Sequence, residues 1–182
     1  YDDDSEVVRR IAITGLGSFG NERPVEHLVA ALGDESAAVR RTAVYSLVEL
    51  LSNVPGEQSH EIREAVLAEL SATEDETVVG PLVEILTEST QAAQRRNTAW
   101  LLGRAVDPEE PGTRRAVVDA LVDALRIDDR MTRQFAATSL AELGGDYAEA
   151  ELLAVATDGS VDAEARGRAI FTLGKIGGEE SR

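Results

Sequence analysis

Val39-Arg40-Arg41-Thr42-Ala43-Val44-Tyr45-Ser46-Leu47 is the stretch on which the reading of the fold turns. Val39, Ala43 and Leu47 stand four residues apart, which puts them on one side of an α-helix, and two arginines open the segment. The same order of residue types returns along the chain. Val8-Arg9-Arg10-Ile11-Ala12 leads to Leu16-Gly17, and Arg95-Arg96-Asn97-Thr98 leads to Leu102-Gly103. Arg133-Gln134-Phe135-Ala136 leads to Leu140 and Gly144, and Arg166-Gly167-Arg168-Ala169 leads to Leu173-Gly174. Aligned on Ala12, Ala43, Thr98, Ala136 and Ala169, successive copies lie 31, 55, 38 and 33 residues apart. That is the period of stacked helical hairpins, with one gap long enough for an extra helix.

Each copy reads as the second helix (B) of a hairpin, near 5–19, 36–52, 90–105, 129–143 and 162–177. A shorter apolar first helix (A) precedes four of them, at Pro24–Leu32, Val79–Leu86, Arg114–Leu125 and Tyr147–Val155. Pro24, Pro81 and Pro111 are expected at or near helix starts, where a missing N–H costs least. After the Asn53-Val54-Pro55-Gly56 break, the long gap holds one more helix, His60–Leu70, out of phase with the rest. The expectation is an all-α fold, an α-α superhelix of about ten helices forming one repeat array over residues 1–182. The first copy lacks its A helix, as a piece of a longer chain would.

Composition narrows the function. With no cysteine, disulfides, thiolate metal sites and cysteine nucleophiles are excluded together. Aromatics make up only 4% of the chain, so Leu, Val, Ile and Ala must form the core. No apolar run reaches the ~20 residues of a membrane span. The formal net charge is −16, and of the 18 basic residues only Lys175 is not arginine. Dispersed carboxylates with arginine retained and lysine avoided resemble proteins of salt-accumulating microbes, where high salt screens the repulsion. A cytoplasmic protein of a halophilic archaeon is expected, one whose helicity survives chelation and falls in dilute salt.

The recurring Arg–Ala–Leu pattern resembles the HEAT repeat family, in particular the short HEAT-like repeats of phycobilisome lyases. The resemblance covers nearly the whole chain and speaks to fold more than function. In the family an acidic residue of the turn pairs with the basic residue that opens helix B, forming a ladder along the stack. The resemblance therefore implies pairs Asp3–Arg9 and Asp34–Arg40, each six residues apart, and more loosely Glu88–Arg95 and Asp128–Arg133. It assigns Arg9, Arg40, Arg95, Arg133 and Arg166 a structural role.

Catalytic motifs are thin. The two histidines, His27 and His60, fall in unrelated repeats; His60-Glu61 is one His-Glu pair, whereas deoxyhypusine hydroxylase, built of related repeats, uses several for its irons. Gly15-Leu16-Gly17-Ser18-Phe19-Gly20 closes a helix instead of following a strand, so small residues at a packed helix end, with Gly20 as a cap, explain it better than a phosphate loop. Strong acidity opposes nucleic-acid binding, which rests on neutralising phosphate. No cofactor, metal or catalytic residue is assigned. The leading expectation is a non-catalytic scaffold or adaptor for a protein or peptide. The alternative is a lyase-like enzyme or accessory acting on a modified protein, with a nucleic-acid-binding role behind it.

The surface a partner would use follows from helical geometry. Two residues beyond the aligned Ala or Thr, at ~200° around the helix, a side chain points away from the core. That row holds Thr14, Tyr45, Trp100, Thr138 and Phe171. One turn before it stand Arg10, Arg41, Arg96, Gln134 and Gly167; one turn after it stand Ser18, Glu49, Arg104, Glu142 and Lys175. If the B helices all line one concave side, Arg41, Tyr45, Arg96, Trp100, Arg104 and Phe171 form a single groove, rich in the residue types that anchor interfaces.

Overall fold

Apolar residues at helical spacing build ten α-helices in the computed structural model, which describes residues 5–19, 23–54, 59–106, 110–127 and 129–179. They are α1 (Glu6–Gly17), α2 (Val25–Ala30, continued by a 3-10 turn Ala31–Gly33), α3 (Ala37–Asn53), α4 (Ser59–Ser71) and α5 (Asp75–Glu88). Then come α6 (Ala92–Arg104), α7 (Pro111–Ala124), α8 (Arg130–Leu143), α9 (Asp146–Thr157) and α10 (Ala163–Glu179). The described residues contain no strand, and the fold is an all-α solenoid. Asp3, Gly20, Pro55, Gly56 and Asp128 lie outside the described residues.

Local chemistry sets the helix ends. Ser36 opens α3 by accepting from the amides of Ala38 (3.2 Å) and Val39 (3.4 Å), and Asp129 opens α8 by accepting from Thr132 N at 2.7 Å. Between α8 and α9 the backbone turns through Gly144 (φ 54°) and Gly145 (φ 90°), conformations that a side chain disfavours. Pro24 and Pro111 sit at helix starts as expected, but Pro81 does not. It lies inside α5, because that helix begins at Asp75, ahead of the apolar residues that mark its face, and the proline ring is buried.

The helices stack in two rows. In one, α1 packs on α3, α3 on α5, α5 on α7 and α7 on α9; in the other, α2 packs on α4, α4 on α6, α6 on α8 and α8 on α10. Chain order thus alternates between layers. The extra helix α4 is one step in that alternation, and it changes which layer the repeat motif occupies. The B helices α1 and α3 belong to the odd row, whereas the B helices α6, α8 and α10 belong to the even row. The aligned motif thus falls into two sets of B helices, which meet where α3 packs against α6. Arg41 and Tyr45 belong to one layer, and Arg96, Trp100, Arg104 and Phe171 to the other.

Within each half, B helices approach each other closely. A Cβ on Gly17 of α1 would lie 2.8 Å from Ser46 Cα of α3, and one on Gly103 of α6 would lie 2.7 Å from Ser139 Cα of α8. Ser139 Oγ uses that proximity to donate to the Ala99 carbonyl at 2.7 Å. In α3 and α6, which meet across the change of row, the corresponding positions hold Val48 and Leu101, both buried. Leu47, Leu102 and Leu140 are fully buried, each worth roughly 1.5–3 kcal/mol.

The arginines that open the B helices work differently from the implied pairs. Asp34 does not take Arg40. It accepts two hydrogen bonds from Arg9 of the preceding B helix, from Nε at 2.8 Å and Nη2 at 3.0 Å. Arg40 donates instead to the carbonyls of Asp34 (2.8 Å) and Glu35 (3.0 Å). Likewise Arg95 donates to the Ser89 carbonyl at 2.7 Å and Arg133 Nε to the Ile127 carbonyl at 2.6 Å, each six residues upstream. Arg133 also meets carboxylates of the next turn, Glu164 at 3.1 Å and Asp162 at 3.7 Å. The reason is reach: the turn's carbonyls converge on its own arginine, while its carboxylates point back to the previous repeat. The ladder runs between repeats, and the Arg9 bond holds the Asp34 carboxyl below its usual pKa.

Candidate functional site

Side chains at the outward positions of the B helices are left partly or wholly uncovered. Tyr45, Trp100 and Thr138 are partly buried; Thr14 and Phe171 are exposed, Phe171 at 58%. Every aromatic in this row has a cation against its ring, so the two layers can be compared site by site.

In the odd row, Arg41 lies 5.6 Å from the Tyr45 centroid and donates to its hydroxyl at 3.3 Å. Its charge is already met by an ion pair with Glu84 of α5. Burial raises the Tyr45 pKa, with Glu88 adding in the same direction. This segment is closed on itself: the cation has a carboxylate and the phenol is protonated.

In the even row, Trp100 lies between two guanidinium groups. Arg104, one turn along α6, is 5.7 Å from the ring centroid, and Arg63 of α4 is 5.9 Å from it. Arg104 reaches Glu142 of α8 at 2.7 Å. Arg96 donates from Nε to its own helix at Ala92 O, 3.1 Å away. Arg63 is held from behind: Nη2 donates to Asn97 Oδ1 at 2.9 Å, and Asn97 in turn donates to Ser52 Oγ at 3.2 Å. Arg63 Nε has no hydrogen-bond partner. Burial, joined by the neighbouring charge of Arg96, lowers the Arg63 pKa, the mark of a cation short of an anion. Further along the same row, Lys175 Nζ is 5.1 Å from the Phe171 ring.

Repeat alignment missed Arg63, because α4 has no counterpart in the other hairpins. A signal existed: Ile62, Val66 and Leu70 mark the buried side of α4, and Arg63 stands beside Ile62 at its edge. His27 on α2 and His60 on α4 are exposed. Among the described residues, no three His, Asp or Glu side chains converge in a way that could hold a metal ion. No helix among them is long and apolar enough to cross a membrane.

Residues 1–57 match the family model of HEAT repeats. The chain is also 47% identical, over 135 residues, to a HEAT repeat-containing taxis protein of Halobacterium salinarum. That alignment takes in 74% of this chain and 33% of the relative, so the chain spans about a third of that protein's length. A halophilic archaeal relative agrees with the arginine-rich acidic composition. Solved structures resemble the chain loosely. An engineered protein overlaps 97% of it at 21% identity and a TM-score of 0.42, and covers 93% of its own length. A designed armadillo repeat protein in complex with the peptide (KR)4 overlaps 96% of this chain and 78% of its own at 20% identity and a TM-score of 0.39. Human deoxyhypusine hydroxylase overlaps 97% of this chain and 82% of its own at 20% identity and a TM-score of 0.33. None of these overlaps bears on the chain's role; the Halobacterium relative shows that the chain belongs to the HEAT repeat family.

Proposed function

We propose that this chain is a non-catalytic, cytoplasmic scaffold that holds a protein or peptide segment of a taxis apparatus in a salt-loving archaeon. The observation that carries the reading is Trp100. The chain's only tryptophan stands at an outward position, partly uncovered, with a cation on either side. Large aromatics and arginines together are what anchors most protein interfaces. The docking surface is the even face, from Arg63 through Trp100 to Phe171. Arg41 and Tyr45 belong to the other layer, and Glu84 already satisfies Arg41. The taxis assignment rests on the name of the Halobacterium relative, of which this chain spans only a part.

The test is a capture experiment from halophile lysate at high salt, comparing the unaltered chain with Trp100→Ala and Tyr45→Ala. A specific partner should be retained by the Tyr45 variant and weakened roughly tenfold or more by Trp100→Ala, the loss typical of an interface anchor. A partner retained equally by all three would overturn the Trp100 assignment.

A further inference from the structure

The electrostatics of the even face are at odds with the rest of the molecule. The chain carries a formal charge of −16, yet Arg63, Arg96, Arg104 and Lys175 cluster on this face around two aromatic rings. In the outward rows of α6, α8 and α10, Glu142 is the sole carboxylate, and Arg104 already holds it. Arg63 is fixed by Asn97, lies over Trp100 and keeps an Nε without an acceptor.

We propose that this face recognises an extended acidic stretch of polypeptide, with a partner carboxylate taken up between Arg63 and Arg96 beside Trp100 and a second met by Lys175 beside Phe171. The proposal rests on the scaffold reading above and specifies its partner. A carboxylate at the exposed side of the Arg63 guanidinium supplies an anion to a cation that folding has partly desolvated. Neighbouring helices lie ~8–10 Å apart, so the span from α6 across α8 to α10 is about 16–20 Å. An extended chain rises ~3.3 Å per residue, so about six residues separate the side chains that meet Trp100 and Phe171. Since side chains alternate, residues six apart face the same way, which lets two apolar anchors engage the two rings. A polypeptide suits this face better than a nucleic acid. The cations are few and separated by apolar rings, whereas polyphosphate binding draws on many closely spaced contacts. The acidic remainder of the surface repels a polyanion longer than the face.

Trp100 is its own reporter, being the only tryptophan. The probes are tryptophan-free peptides of about ten residues, enough to span the face: a Glu/Leu peptide, its Gln/Leu and Lys/Leu counterparts, and a single-stranded DNA of similar length, titrated against Trp100 emission. The Glu/Leu peptide should shift the emission saturably and bind about tenfold tighter than the Gln/Leu peptide, as loss of complementary charge predicts. Arg63→Gln and Arg96→Gln should each remove much of that preference with little change in melting temperature, and Arg41→Gln, on the other layer, should remove none. Tighter binding of the Lys/Leu peptide or of DNA overturns the proposal, as does an effect of Arg41→Gln equal to that of Arg63→Gln. Equal binding of Glu/Leu and Gln/Leu peptides, abolished by Trp100→Ala when followed through a fluorophore on the peptide, overturns acidic recognition and leaves the scaffold reading standing. If no peptide binds the proposal fails, and the scaffold reading is then decided separately by the capture experiment.

Discussion

The α1–α3 half and the α6–α10 half of this solenoid use the same local devices and present them on different layers. In both, a glycine of one B helix seats a serine of the next, Gly17 on Ser46 and Gly103 on Ser139. In both, an arginine near the start of a B helix reaches carboxylates of the following turn, Arg9 to Asp34 and Arg133 to Glu164. Yet Tyr45 carries one arginine, met by Glu84 of α5, whereas Trp100 carries two, of which Arg104 is met by Glu142 and Arg63 is held by Asn97 instead of a carboxylate. One inserted helix accounts for the difference in layer. In a two-row stack the layer of a helix is set by whether an odd or even number of helices precedes it. A motif can recur faithfully in sequence and still change sides of the molecule.

The strongest way to test the comparison is through the close contacts. Gly103→Leu should destabilise the chain by about 3 kcal/mol, the upper part of the range for overpacking, because Ser139 has no room to withdraw. Gly174 is the aligned residue of α10, with nothing within 4 Å of the added carbon. Gly174→Ala should therefore stabilise by roughly 0.5–1 kcal/mol through helix propensity. Denaturant melts at high salt measure both, and equal losses would mean that the glycine contact does not join the B helices.

The ladder gives the next largest effect. Arg133→Ala should cost about 1.5–3 kcal/mol, since a buried arginine loses its carbonyl and the adjoining carboxylates lose their cation. Arg40→Ala should cost about 1–2 kcal/mol, as only turn carbonyls lose a partner. Arg41→Ala breaks an exposed pair with Glu84 and should stay below about 1 kcal/mol. Melting that does not separate Arg40→Ala from Arg41→Ala would break the ladder as described.

Acid sharpens the contrast between halves. The folded-state pKa of Asp34 is depressed chiefly by its hydrogen bond to Arg9, that of Asp162 chiefly by the Ala165 amide. Both carboxyls stabilise the fold above the unfolded value near ~3.9, and that contribution is lost as pH falls through the lower folded value. Asp34→Asn should flatten the acid limb of a pH–stability curve, and Arg9→Gln should flatten it in the same way. Arg133→Gln should leave most of the Asp162 contribution in place, because a backbone amide, not the arginine, is its main support.

The smallest effect is spectroscopic and tests the layers directly. The chain has no cysteine, so a single quencher label can be placed at will. A nitroxide at Thr138→Cys, on the neighbouring helix of the same row, should quench Trp100 emission. The same label at Tyr45→Cys should quench it much less. Similar quenching from both positions would return Tyr45 and Trp100 to one groove.

Helix content and hairpin period were legible because they depend on residues close in sequence. Val39, Ala43 and Leu47 face one way whatever the rest of the chain does, and five such segments specify a helical stack. The outward direction of Trp100 followed from the same local angle, and so did its arginine at position 104. The partners of charged side chains were not legible. Asp34 stands six residues from Arg40 and 25 from Arg9, and sequence proximity favours the nearer arginine, but the folded turn aims its carboxylate at the farther one.

The sequence alone determined the repeat, the apolar face of each helix and the acidic, arginine-rich balance of charge, since these are properties of single helices and of composition. Tertiary structure decided the layer each helix occupies, the neighbour each arginine meets and the arrival of Arg63 over Trp100. Those outcomes depend on how helices far apart in the chain stack together. The physical reason is that a helix's own periodicity fixes which way a side chain points relative to its own core, and carries no information about which side of a two-layer stack that core will come from.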